Sequence, residues 1–228
     1  MPEFQRILVL LPNPLGDALM ATPAIAALRQ RYPAAHITLL GKGLVVKTIF
    51  CSELADEAIA LGGLFSTAKL LRANKFDLAV ICPGSFRSAA LAWFGRCKRR
   101  LGYRRDGRGL LLTDGLAIPK NADGTKKVYP ALNYYLDLVA TVDAKPASRD
   151  LVIHADATAD ALLAEAGYDS ARPLVLLNPG GAFGPSKLWP MERYAQLAEH
   201  LIETHNAQII INAAPNEQVA IAAVARAM

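Results

Sequence analysis

The stretch RILVLLPNPLGDALMATPAIAALR, residues 6–29, decides the fold class. Ile7–Leu11 is short and apolar without alternation, as expected of a parallel strand buried on both faces. Pro12, Asn13 and Pro14 end it. Thr22 and Pro23 then read as an N-cap and a first helical position, and Ala24, Ile25 and Leu28 form an apolar stripe running to Arg31. An earlier helix start near Asp17, kinked at Pro23, fits the same residues. A buried strand feeding a helix is one β-α unit, and repetition of that unit makes a parallel sheet with crossovers.

The unit does repeat. Pro33 breaks the first helix and His36–Leu40 reads as a second strand. Leu64–Arg72 is expected to be helical, Phe76–Cys82 a strand ending at Pro83-Gly84, and Phe86–Phe94 a helix. Val128–Val142 is expected to form a long helix with Leu132, Tyr135, Leu136 and Val139 on one face. Leu151–His154 reads as a strand and Ala157–Ala166 as a helix before Gly167. A fresh start follows: a strand from Pro173 to Pro179, an amphipathic helix over Met191–His205, a strand over Gln208–Asn212 and a helix over Gln218–Ala227. The expected class is therefore α/β. Residues 1–170 form one Rossmann-like parallel-sheet domain. Residues 171–228 hold about two β-α units, fewer than the roughly 100–150 residues of a typical domain. They read as the incomplete beginning of a second.

Composition narrows the function classes. The chain has 228 residues, 53% of them hydrophobic, which excludes a disordered chain. Its formal net charge is +5. Seven of its 25 basic residues lie between Arg96 and Arg108 with one acid, Asp106, while the other 18 share the rest of the chain with 19 acids. The scaffold is near neutral and carries one basic segment. Gly95, Gly102, Gly107 and Gly109 make that segment read as a loop. It is either a solvated face or a contact for a polyanionic partner. Tyr103 is its only aromatic, so the stacking residues of nucleic-acid binders are missing and no nucleic-acid partner is expected. Three widely spaced cysteines (Cys51, Cys82, Cys97) and four scattered histidines lack metal-ligand spacing, so no metal is expected and the cysteines read as small buried hydrophobes. No signal peptide and no run of about 18 apolar residues is evident, so the expected protein is soluble or peripheral.

In open α/β sheets ligands sit at the carboxyl ends of the strands. Three loops there carry candidate chemistry. Pro12–Ala18 has one glycine, Gly16, and so is neither a dinucleotide fingerprint nor a Walker A loop. Its Asp17 either caps the helix or offers a carboxylate as general base to a substrate hydroxyl. Asn178–Pro190 carries Gly180, Gly181 and Gly184, then Ser186 and Lys187, ahead of a helix whose first turn is expected to hold Pro190. It is either a plain connection or an anion site suited to phosphate. Trp189 reads as a packing residue. Cys82–Ala90 offers Ser85 as an N-cap and Arg87, whose place in a first helical turn runs against the dipole and suits an anion.

Four segments in this order are similar to glycosyltransferase family nine, the lipopolysaccharide heptosyltransferases, and to their type II branch: LPNPLGDALMATPAIAALR from Leu11, CPGSFRSAALAWF from Cys82, RLGYRRDGRGLLLTD from Arg100, and NPGGAFGPSKLWPMERYAQLA from Asn178. The resemblance implies a GT-B architecture, with residues 1–170 binding the lipid-linked acceptor and 171–228 belonging to the nucleotide-sugar domain. It implies inverting transfer of heptose from ADP-heptose to the lipopolysaccharide inner core, with no cofactor beyond the donor and no obligatory metal. Asp17 takes the place of the catalytic base. Gly184, Ser186, Lys187 and Glu217 correspond to donor-binding positions, although Asn212–Glu217 lacks the glycines expected around Glu217. Asn13, Ser85, Arg87, Arg104 and Arg105 are the implied acceptor contacts. Implied surroundings are the cytoplasm, with transient attachment to the inner face of the inner membrane. The family's later Asp-Ser-Gly-Pro-x-His-like segment is absent, so the chain reads as truncated. Two alternatives stay open: another sugar or acceptor within the family, or a glycan- or anion-binding remnant without a complete donor site.

Overall fold

The computed structural model describes residues 3–125, 127–154, 158–180, 188–212 and 222. The chain divides into two compact units, Met1–Ala155 and Asp156–Met228.

The first unit is built on six parallel strands: β1 (Arg6–Leu10), β2 (His36–Gly41), β3 (Glu57–Ala60), β4 (Leu78–Ile81), β5 (Arg99–Tyr103) and β6 (Asp114–Leu116). Their spatial order is β3-β2-β1-β4-β5-β6. This is a doubly wound sheet, with its topological switch point between β1 and β4. Ile7 lies opposite Ile37 in β2 and Leu78 in β4, so β1 is paired on both edges. Alternate residues of β1 serve two cores. Ile7, Val9 and Leu11 pack on one face with α1 (Leu15–Met20), α2 (Thr22–Arg31), α3 (Gly43–Ile49) and α6 (Ala131–Ala140). Leu8 and Leu10 pack on the other with α4 (Leu64–Asn74) and α5 (Phe86–Phe94).

The first helix starts where the earlier of the two readings put it, but it does not run through. It breaks at Ala21, which ends α1 and caps α2. Thr22 Oγ1 donates to Leu19 O at 2.8 Å and accepts from Val152 N at 2.9 Å. That second bond accounts for a strand expectation that fails. Leu151–His154 has no regular structure, because Val152 is tied to a helix side chain instead of a neighbouring strand. The helix expected from Val128 begins at Ala131, with Pro130 at its N-cap, since a residue preceding proline is steered out of helical geometry.

The close approach of α4 and α5 depends on Gly95, which ends α5. A Cβ there would lie 2.7 Å from Leu71 Cβ and 3.1 Å from Leu91 O. Gly95→Ala is expected to lower stability by about 1–3 kcal/mol through overpacking, read as a fall in the denaturation midpoint.

The second unit contains α7 (Thr158–Glu165), β7 (Leu174–Leu177), α8 (Met191–His205) and β8 (Gln208–Ile211). The helix α7, placed in the first domain by a boundary at residue 170, falls on this side of the division at Ala155. β7 and β8 pair in parallel, Leu174 opposite Gln208, with α8 between them in sequence. Pro190 is the N-cap of α8 and so precedes its first turn. Asn206 closes the helix in the left-handed region at φ 51°. The helix expected over Gln218–Ala227 lies outside the described residues, apart from position 222.

Candidate active site

The loops after β1 and β4 meet at the switch point, and Asp17 enters the cleft from α1. Pro14 is the N-cap of α1 and no side chain caps it, so the capping reading of Asp17 does not hold. Asp17 stands in the first turn, half-buried, and its carboxylate bonds to no other described residue. It lines a cavity of about 490 Å³ together with Cys82, Arg105, Arg108, Lys127 and Tyr135. One half-buried carboxylate thus faces a pocket whose other charged groups are cations.

Aromatic rings form one wall. Tyr103 and Tyr134 stack with centroids 3.7 Å apart, and the Tyr103 hydroxyl donates to Tyr134 O at 3.0 Å. Tyr129 donates to Asp137 at 2.6 Å. Burial pushes the Tyr135 phenol upward, and the nearby Cys82 and Asp17 add to this. Burial likewise pushes the Cys82 thiol up to about 12, so it stays protonated and is no nucleophile. All three cysteines are buried and free, as expected.

The floor is Arg108, which is fully buried. Its Nε donates to Tyr103 O at 2.7 Å, and its Nη1 donates to Pro83 O, to Ser85 O at 3.3 Å and to Ser88 Oγ at 3.2 Å. Nη2 has no partner among the described residues and rests against Gly102. Burial holds this guanidinium below its ordinary pKa. Arg105 is exposed, pairs with Asp106 at 3.2 Å and lies over Gly84.

The expected acceptor contacts separate into groups. Arg105 shares the Asp17 cavity. Arg104 lines an adjoining depression with Arg105 and Lys120. Asn13, Ser85 and Arg87 line a different cavity of about 190 Å³ at the ends of β1, β2 and β4, with Lys42. Ser85 also caps α5, accepting from Ser88 N at 3.3 Å. Lys127 and the tyrosine wall were not read as site residues in the sequence. Arg108 stood there as one basic residue among seven. Gly184, Ser186, Lys187 and Glu217 lie outside the described residues, as does Gly181. Trp189 meets Tyr194 edge-on at 5.0 Å and is otherwise exposed.

The basic segment is not a loop. It contains β5, and most of its charge is engaged. Lys98 pairs with Asp77 at 2.8 Å, Arg99 grips Asp114 at 2.6 Å, and Arg100 donates to Leu111 O and Cys97 O. The neutralising acids lie outside the segment in sequence and are delivered by strand pairing. The hydrogen bond from Arg99 holds the Asp114 carboxyl below the usual range. At Asp77 burial acts upward, but hydrogen bonds from Lys98, Arg6 N and Gln5 N outweigh it and the net shift is downward. Groups depressed in the folded state add stability above their unfolded pKa of about 4 and lose it as pH falls through the folded value. Denaturation midpoints are expected to fall steeply below about pH 4, and less steeply in Asp114→Asn.

The sequence profile of glycosyltransferase family 9 (heptosyltransferase) matches residues 64–228. The chain belongs to this family. Among family-9 relatives it is similar to lipooligosaccharide heptosyltransferase 2 of Haemophilus influenzae, 29% identical over 227 residues covering 94% of this chain and 65% of the relative. The Haemophilus ducreyi lipooligosaccharide heptosyltransferase 2 is 32% identical over 211 residues, covering 87% and 60%. The chain thus spans less than two thirds of the length of these relatives. The solved structure of Escherichia coli ADP-heptose lps heptosyltransferase II superposes with a TM-score of 0.80 at 24% identity, covering 98% of this chain and 69% of that one. A family-9 structure from Veillonella parvula superposes at 0.84 with 22% identity, covering 98% and 66%. These matches, with the parallel six-stranded sheet, bear out the GT-B-like α/β expectation.

Proposed function

We propose that this family-9 chain serves inverting transfer of heptose from ADP-heptose to the inner core of lipopolysaccharide. In this reading Met1–Ala155 forms the acceptor side and the second unit belongs to the donor side. The observation that carries it is Asp17: a carboxylate without a described partner, at the switch point, in a cavity lined by Arg105, Arg108 and Lys127. An acceptor rich in phosphate and acidic sugar suits the two exposed cations, Arg105 and Lys127. Asp17 takes the proton of the acceptor hydroxyl as its oxygen bonds to the anomeric carbon, opposite the departing ADP. The bond from that carbon to the β-phosphate oxygen breaks, and the diphosphate leaves with the electron pair. Lys187, Ser186 and the glycine-loop amides are assigned to stabilise that growing charge, and Glu217 to the nucleotide. No metal or cofactor enters this scheme. The work takes place in the cytoplasm, at the inner face of the inner membrane.

The test incubates the chain with ADP-heptose and a heptose-accepting core and follows the extended product by mass spectrometry, with calorimetric titration of each substrate in parallel. Product formation supports the reading. Acceptor binding without donor binding or product identifies an acceptor-binding remnant. Binding of neither substrate overturns the reading.

A further inference from the structure

The helices α4 and α5 bury one face against the sheet and present aromatic rings on the other. Phe65 is 77% exposed and Trp93 48%. Phe94 lies between them, its ring centroid 6.3 Å from that of Phe65 and 4.9 Å from that of Trp93. The three rings make one continuous apolar patch, and none of them lines the Asp17 cavity.

Cations surround the patch. Lys69 and Arg72 follow Phe65 by four and seven residues, on the same helical stripe. Arg72 Nη2 donates to Phe94 O at 2.9 Å, which fixes its charge beside the rings. Arg96, held at φ 56°, and Lys98 complete a depression of about 530 Å³ lined by Arg72, Trp93 and Phe94. From Leu64 to Lys98 the chain has six basic residues and one acid, Asp77. That acid is already engaged by Lys98 and by the backbone N–H groups of Gln5 and Arg6.

We propose that this α4–α5 face docks the protein on an anionic phospholipid surface. Trp93 and Phe65 enter the headgroup boundary, where aromatic side chains partition favourably, and the surrounding cations meet lipid phosphates. The rings meet edge-on or tilted, at 70° and 56°, and leave no parallel shelf for stacked bases, which disfavours a nucleic-acid partner. No described helix is long and apolar enough to cross a membrane, so this attachment is interfacial. The choice of lipid over other polyanions rests on the proposed lipid-linked acceptor.

The test sediments the chain with vesicles of phosphatidylcholine alone or mixed with phosphatidylglycerol, with no sugar nucleotide and no acceptor present. Binding is expected to the mixed vesicles and to be released by high salt. Phe65→Ser with Trp93→Ser is expected to weaken it about tenfold or more, and Lys69→Glu with Arg96→Glu likewise. These side chains are exposed, so circular dichroism and the denaturation midpoint should be retained. Three results would each overturn the proposal: no binding to the mixed vesicles, an aromatic double variant that binds like the unaltered chain, or tighter binding to an RNA oligonucleotide that the aromatic changes leave intact. Since neither substrate is in the assay, loss of transfer and loss of docking are read separately.

Discussion

Asp17→Asn is expected to reduce the proposed heptose transfer by about 10²–10⁴-fold, the range associated with loss of a positioned general base. The substitution keeps the shape of the side chain and removes its ability to take a proton. Asp17 caps no helix and pairs with no described residue, so the fold has no structural reason to respond. The denaturation midpoint should stay in place. Acceptor affinity should change little, because the exposed cations suited to hold its anions are Arg105 and Lys127. The loss should therefore fall on kcat and not on KM. Turnover at the unaltered rate would remove Asp17 from the mechanism. An equal loss from a collapsed midpoint would make its role structural.

The sequence made the frame of this site legible through its buried strands. Ile7–Leu11 and Leu78–Ile81 are uninterrupted apolar runs closed by prolines, and both proved to be interior strands of the parallel sheet. α5 was read at its observed ends because Ser85 and Gly95 bracket it. α8 was read at its observed ends because Asn206 closes a regular apolar stripe. The strands that escaped notice carry no such pattern. β3 is a half-exposed edge strand containing Glu57. β5 begins with two arginines whose charge looked free, since Asp77 and Asp114 neutralise the segment only after the strands align. The site followed the same rule. Asp17 was visible because it follows the first strand. Lys127 and the stacked Tyr103–Tyr134 pair were not, because they reach the cavity from the segment ahead of α6, from β5 and from α6, far from Asp17 in sequence.

Arg108→Met should destabilise the protein by about 3–5 kcal/mol, since each buried acceptor left without its donor costs about 1–3 kcal/mol. Met keeps an unbranched apolar stem but lacks most of the guanidinium, so lost hydrogen bonds are joined by a small buried void. Tyr103 O would lose the Nε donor, and Pro83 O and Ser85 O would lose the Nη1 donor and be left to share the single Ser88 hydroxyl. Removing a buried charge returns part of its desolvation cost, which is why the expected loss stays below the sum of four hydrogen bonds. Arg108→Lys should fall between the two, because one ammonium cannot span the Nε contact at Tyr103 and the Nη1 contacts at Pro83 and Ser85. The consequence reaches the site, since Cys82 and Gly84 form cavity wall on the loop that Arg108 ties to β5. Where the Lys variant remains folded, acceptor KM should rise more than kcat falls, because the loop that frames the cavity loosens while Asp17 keeps its place in α1. A midpoint shift in the Met variant equivalent to less than about 1 kcal/mol would show that Arg108 is not the structural tie of this loop.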